Sequence, residues 1–233
     1  MQGMNKIMSS QSKIAFVTIG QTPRVDVVPE MMAEITLGMP EGAVEFCEFG
    51  VLDGMTLDEL EAMRADEGEH SFATRLADGR EIVSSKAHTE EKLNALLKKI
   101  DSDGFDLIVL LCTGTKINPL KNTLVVEAQR IVDTTVEALA ASARQLGVIV
   151  PLERQIGDFK ERHVFNGEPR LVSASPYAGD AIAEKARQLG DCDLIVMHCM
   201  GYSAEMLQAA RSAVDAPVLL SRRLVASVVR QMI

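Results

Sequence analysis

One stretch of this chain occurs twice, carrying a cysteine in register both times. Asp106-Leu-Ile-Val-Leu-Leu-Cys112-Thr-Gly-Thr115 is echoed by Asp193-Leu-Ile-Val-Met-His-Cys199-Met-Gly-Tyr202. In each copy an acidic residue leads an apolar strand-like run, a cysteine follows it, and glycine comes two residues later. Apolar runs match one another easily by chance, whereas a match that keeps cysteine and glycine in place marks internal duplication. The openings of the halves correspond as well, Lys13-Ile-Ala-Phe-Val-Thr18 with Leu146-Gly-Val-Ile-Val-Pro151. A duplicated chain of 233 residues is long enough for two small lobes sharing an interface.

The rest of the sequence says what kind of lobes. Short Val/Ile/Leu runs alternate with amphipathic stretches, the pattern of parallel strands covered by helices on both faces. Strands are expected at Ile14–Ile19, Val44–Phe49, Leu107–Leu111, Val148–Val150, Leu194–Met197 and Val218–Leu220, with weaker ones at Arg80–Ser84 and Leu171–Ala174. Helical spacing marks Val25–Ile35, Thr89–Lys99, Ile131–Arg144, Ala181–Leu189, Ala204–Val214 and Arg222–Met232, and a surface helix and turn over Leu57–Glu69. Thr89 and Ser203 are suited to cap the helices that follow them. The expected fold class is therefore α/β, with two similar Rossmann-like parallel-sheet lobes related by pseudo-twofold symmetry and a ligand cleft between them. Residues 1–12 read as a loose tail, 13–120 as the first lobe, 121–221 as the second, and 222–233 as a C-terminal helix packing back on the first.

Ligands bind parallel sheets beyond the carboxyl ends of the strands, which is where both cysteines fall. Lobes facing each other about a twofold axis would bring Cys112 and Cys199 to one site from opposite sides. Two opposed thiols suit a reaction that removes a proton from one face of a carbon and returns it to the other. A helix N-terminus after each cysteine would favour the thiolate. Free cysteine also packs well as a small hydrophobe, and that plainer role fits Cys47 and Cys192. His198 precedes Cys199, so it points to the opposite face of an extended strand and reads as a packed, hydrogen-bonded residue. His70, His88 and His163 lie in polar segments and read as surface residues. Further ligand contacts are expected from Gln21, Thr22 and Arg24 after the first strand, Arg24 being able to pair a carboxylate bidentately. Thr113, Gly114, Thr115 and Asn118 follow Cys112, and Met200, Gly201 and Tyr202 follow Cys199; Ser84, Ser85 and Lys86 follow a weaker strand.

Composition narrows the partners. The formal net charge is -9 and no Lys/Arg-rich block occurs, which argues against nucleic acid or an anionic membrane and leaves a small anionic or amino-acid-like ligand. No apolar run approaches the roughly 20 residues that span a bilayer, and the first residues lack a signal peptide's apolar core. A cytoplasmic location is expected, with all four cysteines reduced. No Cys-x-x-Cys pair suggests a metal, and neither a phosphate loop nor Gly-x-Gly-x-x-Gly suggests a nucleotide, so no cofactor is expected.

Ile19-Gly20 with Pro23, Gly147-Val-Ile-Val-Pro151, Cys199-Met-Gly201 and Ala216-Pro-Val-Leu-Leu-Ser221 carry a resemblance. In these segments the chain resembles the AroM family, within the aspartate/glutamate/hydantoin racemase superfamily. The resemblance implies two α/β lobes, a catalytic cysteine from each, mapping onto Cys112 and Cys199, and cofactor-independent racemisation or related enolate chemistry. It also implies association into homo-oligomers. Superfamily racemases commonly show Cys-Asn-Thr at the first site and Gly-Cys-Thr at the second, where this chain has Cys112-Thr113-Gly114 and His198-Cys199-Met200. Three functions stay open at this point: a two-cysteine racemase, epimerase or isomerase, a single-thiol lyase or decarboxylase, and a non-catalytic ligand-binding or regulatory protein.

Overall fold

A computed structural model describes residues 11–163, 165, 167–179 and 181–233. Most of the expected tail lies outside the described residues, and Ser12 already opens the first strand. In chain order, β1 (Ser12–Thr18) leads to α1 (Val28–Ile35), β2 (Val44–Gly50) and a short α2 (Leu57–Ala62). A hairpin of β3 (Ser71–Arg75) and β4 (Glu81–Ser85) precedes α3 (Lys86–Ile100), and β5 (Leu107–Leu110), β6 (Leu124–Glu127) and α4 (Ala128–Ala140) complete the first half. The second half runs β7 (Leu146–Val150), α5 (Gln155–Arg162), β8 (Arg170–Ser173), α6 (Ile182–Arg187), β9 (Leu194–Met197), α7 (Ala204–Arg211), β10 (Val218–Leu220) and α8 (Ser221–Arg230).

The two halves build the same sheet. One is ordered β2-β1-β5-β6 and the other β10-β9-β7-β8, all parallel. Counted within each half and read from matching edges, both run second-first-third-fourth. These are the two similar parallel-sheet lobes that the duplicated stretch called for.

Strand alternation explains why the runs are apolar throughout. On β1, Ile14 and Phe16 face the space between the lobes, while Ala15 and Val17 face the first lobe's outer helices. The interlobe core joins them to Val109 of β5, Val148 and Val150 of β7, and Val196 of β9. Helix α8 lays Val225, Ala226 and Val229 into that core beside Val28, Met31 and Ile35 of α1, so it packs back on the first lobe. No helix among the described residues is long and apolar enough to cross a membrane.

Several elements differ from the sequence expectation. Strand β6 pairs with β5, so the first sheet runs to Glu127 and not to residue 120. It was missed because it is an edge strand with Leu124 exposed. Strand β3, Ser71-Phe-Ala-Thr-Arg, lacks the branched apolar residues that advertise strands, yet pairs antiparallel with β4. Helix α5 is short, contains Gly157 and buries only Phe159 among its side chains, so it has too few apolar residues to mark it. Thr89 sits inside α3, where its hydroxyl donates to Ser84, and Ser85 is the cap instead.

Candidate functional site

Cys112 lies two residues beyond β5 and Cys199 two beyond β9, so corresponding strands deliver one thiol each to the carboxyl edges of the sheets. Both line one cleft of about 660 Å³, part of it open to solvent. Arg24, Phe72, Thr74 and Lys86 line it from the first half, and Gln155, Arg162 and Tyr177 from the second.

The glycine two residues after each cysteine has two jobs. Gly201 N–H donates to Cys199 Sγ at 3.3 Å, and Gly114 N–H makes the corresponding bond to Cys112. A Cβ at Gly114 would meet the Phe72 ring at 2.8 Å, and one at Gly201 would collide with the Tyr177 hydroxyl. Each lobe thus presses an aromatic ring onto its own cysteine loop, and only glycine leaves room. Gly201→Ala is expected to cost about 1–3 kcal/mol through this overpacking, read as a lower urea midpoint at unchanged slope.

The two thiols are not electrostatic equals. Burial pushes Cys112 up to about 12, and a charge on Cys199 would push it further. Gly114 N–H, Arg162 and Lys86 oppose this only in part. Burial raises Cys199 as well, opposed by Gly201 N–H and the guanidinium groups of Arg24 and Arg222. The expected easing of ionisation by helix N-termini is overridden. The loop after Cys112 leads to β6 and not to a helix, α7 begins only at Ala204, and desolvation is the largest influence on both groups.

Thr113, Gly114, Met200 and Gly201 line the cleft as the sequence suggested, as does Arg24. The fork of Arg24 is already taken, however. Its Nε and Nη2 donate to Asp26 at 2.9 and 2.8 Å, Nη1 to Thr18 Oγ1 at 2.8 Å, and Nη2 also to the Tyr177 hydroxyl at 3.1 Å. Asp26 fills the place expected for a ligand carboxylate, and the pairing holds its carboxyl below the usual range although burial opposes this. Arg24 therefore ties the lobes together through Tyr177.

The remaining expected contacts are not among the residues lining the cleft, Asn118 being exposed and the others buried or turned to partners of their own. Gln21 spends its amide on Leu52 C=O and Ala77 N–H, and Thr22 binds the Asp53 carboxylate through both its N–H and its hydroxyl. Thr115 is buried. Asn118 N–H donates to Asn94. Tyr202 is core, its hydroxyl donating to Ala174 C=O at 2.7 Å. Cys192 packs beside Gly147, and Cys47 is half-buried on β2.

Two features went unseen in the sequence. Arg222, at the start of α8 and 1% exposed, donates to Met200 C=O and Gly201 C=O, to Asp26 C=O and to the Glu30 carboxylate. It holds the Cys199 loop from behind and anchors that loop to α1. His163, expected on the surface, is buried beside Phe159 and His198. His198 Nε2 bonds Asp133 at 2.7 Å, and His163 Nδ1 reaches Glu137 at 3.2 Å, so α4 reaches across to the floor of the second lobe. Asp133→Ala would strand the buried His198 ring and is expected to cost about 1–3 kcal/mol in thermal or urea unfolding.

The comparisons with known proteins agree with this architecture. The family model described as AroM protein matches residues 14–233. The chain belongs to the AroM family. No curated protein matches the sequence. Among solved structures, a variant of arylmalonate decarboxylase in its liganded form is similar at 13% identity and TM-score 0.56, covering 94% of this chain and 92% of that one. Allantoin racemase from Klebsiella pneumoniae is similar at 14% identity and TM-score 0.55, covering 95% and 87%. Nocardia farcinica maleate cis-trans isomerase is similar at 14% and TM-score 0.55, covering 95% and 92%. At such identities the likeness shows that this AroM protein shares their two-lobed fold.

Proposed function

We propose that this protein is a cofactor-independent isomerase-type enzyme, a racemase or epimerase, acting on a small carboxylate or amino-acid derivative. The observation that carries this reading is the arrival of one thiol from each lobe in a single cleft, each accepting the N–H of the glycine two residues on. The names of the structural neighbours, a decarboxylase, a racemase and an isomerase, support the same class.

In this reading the Cys199 thiolate removes the proton from the carbon next to the substrate carboxylate, leaving an enolate and a Cys199 thiol. The Cys112 thiol then gives its proton to the opposite face, becoming the thiolate, and the reverse reaction exchanges the roles. The asymmetry described above sets the resting state. Burial holds both thiols protonated near neutral pH, Arg24 and Arg222 offset part of that burial at Cys199, and a charge formed on Cys199 in turn keeps Cys112 protonated. Arg162, beside Cys112, is placed to take the substrate carboxylate with the part of its guanidinium not spent on Thr113 C=O.

The test is deuterium uptake at the carbon next to the carboxylate, followed by NMR in D2O with small 2-amino and 2-hydroxy acids. Uptake with loss of optical activity is expected. Saturable binding without uptake would make the protein a non-catalytic binder. The pH dependence follows from the burial of both thiols. The base must be ionised, so kcat/KM should rise with pH through the raised pKa of Cys199, above the ordinary thiol value of about 8.5. It should fall again only towards the Cys112 value of about 12. An acid limb below pH 7 would mean that Cys199 is not the base.

The same asymmetry favours a second reading, in which Cys199 alone activates the substrate and Cys112 only lines the cleft. Such a single-thiol lyase or decarboxylase would deliver its proton from one side only.

A further inference from the structure

Helix α4 and the ends of α5 and β9 bring three ligand-type side chains together, and the thiol chemistry uses none of them. Asp133, His163 and His198 each place one donor atom within 4.8 Å of the other two, the only such group among the described residues. The two imidazole rings are 2% and 3% exposed and the carboxylate 14%. Asp133 Oδ1 lies 2.7 Å from His198 Nε2 and 3.6 Å from His163 Nε2. Donors around a tetrahedral zinc are about 3.3 Å apart, so this spacing is a small shift from a coordination shell.

The hydrogen bonds show what the cluster lacks. A carboxylate can only accept, so His163 Nδ1 carries the proton that Glu137 takes at 3.2 Å. Its Nε2 is then a bare lone pair, buried, without a hydrogen-bond partner and facing the acceptor Asp133 Oδ1. Two acceptors held face to face repel, and a cation between them turns repulsion into binding. The Glu137–His163 pair is the outer carboxylate that fixes the tautomer and direction of a ligating histidine. Asp133 and Glu137 supply two negative charges for a dication. Arg162 is close enough to be felt at Asp133 and His198, but its guanidinium donates to Asp158 C=O and Thr113 C=O. Imidazole nitrogens select ions of the zinc kind over magnesium or calcium. Glu137 is half exposed on α4, which leaves an approach from solvent.

We infer that Asp133, His163 and His198 form a binding site for one transition-metal dication of the zinc class, with Glu137 orienting His163. On binding, His198 offers Nε2 as a lone pair and carries its proton on Nδ1, and water fills the fourth position. The ion joins α4 to the ends of α5 and β9. Because His198 directly precedes Cys199, it also fixes the root of that cysteine loop. It takes no part in the proton transfer proposed above, so neither reading depends on the other.

Metal binding by the whole chain tests the site. The Cys112→Ser/Cys199→Ser variant, in which the cleft thiols cannot compete, is stripped with a chelator. It is then titrated with zinc chloride by calorimetry and with cobalt chloride by visible absorption. One equivalent of each should bind, cobalt should show the bands of nitrogen and oxygen donors, and zinc should raise the melting temperature by several degrees. His163→Gln should weaken zinc binding by about 100-fold or more. Glu137→Ala, a change on the exposed side of α4 that spares the core, should weaken it by about 10-fold, as loss of an outer partner does. Absence of saturable zinc binding by the folded chain would overturn the site and leave a protonated His163 between the two carboxylates. Zinc binding that His163→Gln leaves unchanged would overturn it as well. So would a cobalt–thiolate charge-transfer band, which would put the metal on Cys47 or Cys192, or displacement of zinc by equimolar magnesium.

Discussion

Cys199→Ser is expected to lower turnover by about 10²–10⁴-fold, the range that a positioned general base contributes. The hydroxyl keeps the size and the Gly201 N–H contact but ionises far too weakly to replace a thiolate. Cys112→Ser should also abolish racemisation, because the second face of the carbon then has no adequate proton donor. The two variants nevertheless separate the mechanisms. In a two-base enzyme the Cys112→Ser variant still exchanges deuterium into one enantiomer from the Cys199 side while interconverting none. Unimpaired racemisation in either variant would remove the two-base mechanism, and decarboxylation that needs only Cys199 would support the single-thiol reading. Both variants should fold normally, since the thiols contribute little packing that a hydroxyl cannot replace.

Arg222→Ala is expected to be the most damaging substitution away from the thiols. Arg222 is buried and its partner Glu30 half-buried, so removing the guanidinium costs less than the 3–5 kcal/mol of a fully buried pair, about 2–4 kcal/mol. Here the loss also strips three carbonyl groups of their donor, Met200 and Gly201 in the cysteine loop and Asp26 ahead of α1. Total stability of a protein this size is about 5–15 kcal/mol, so the denaturant midpoint should fall steeply. Arg222→Lys should rescue little, because one ammonium cannot reach three carbonyls and the Glu30 carboxylate at once. The loop effect is separable from the stability effect. Well below the unfolding midpoint, Cys199 should react faster with a neutral alkylating agent in Arg222→Lys than in the wild type, while Cys192 stays unchanged. A midpoint change worth less than about 1 kcal/mol would show that α8 does not hold the loop.

The legible part of this protein was the part written twice. Asp106 to Gly114 and Asp193 to Gly201 announced two strands and two thiols at strand ends, because each depends on a short local pattern. The illegible part was made of residues whose roles depend on partners far along the chain. Arg222 looks like the start of an amphipathic helix until it meets Met200, Gly201 and Asp26. His163 sits in a polar segment, yet the ring lies in an aromatic pocket floored by α4. Arg24 lines the cleft, but its fork is not free as expected, since Asp26, two residues on, claims it. Half of the hairpin was legible, since Arg80–Ser84 was expected as a weak strand where β4 lies, whereas Ser71-Phe-Ala-Thr-Arg of β3 gave no strand signal.

Helix α8 covers the face of the first lobe that carries Val28, Met31 and Ile35, yet it is made after both sheets. As the chain leaves the ribosome, the first half therefore emerges with that apolar face unsheltered while the second half is still being synthesised. Such a window invites chaperones and aggregation alike. The half that begins folding first is the half that finishes last, so a nascent chain stalled before Ser221 should be among the most protease-sensitive species this protein passes through.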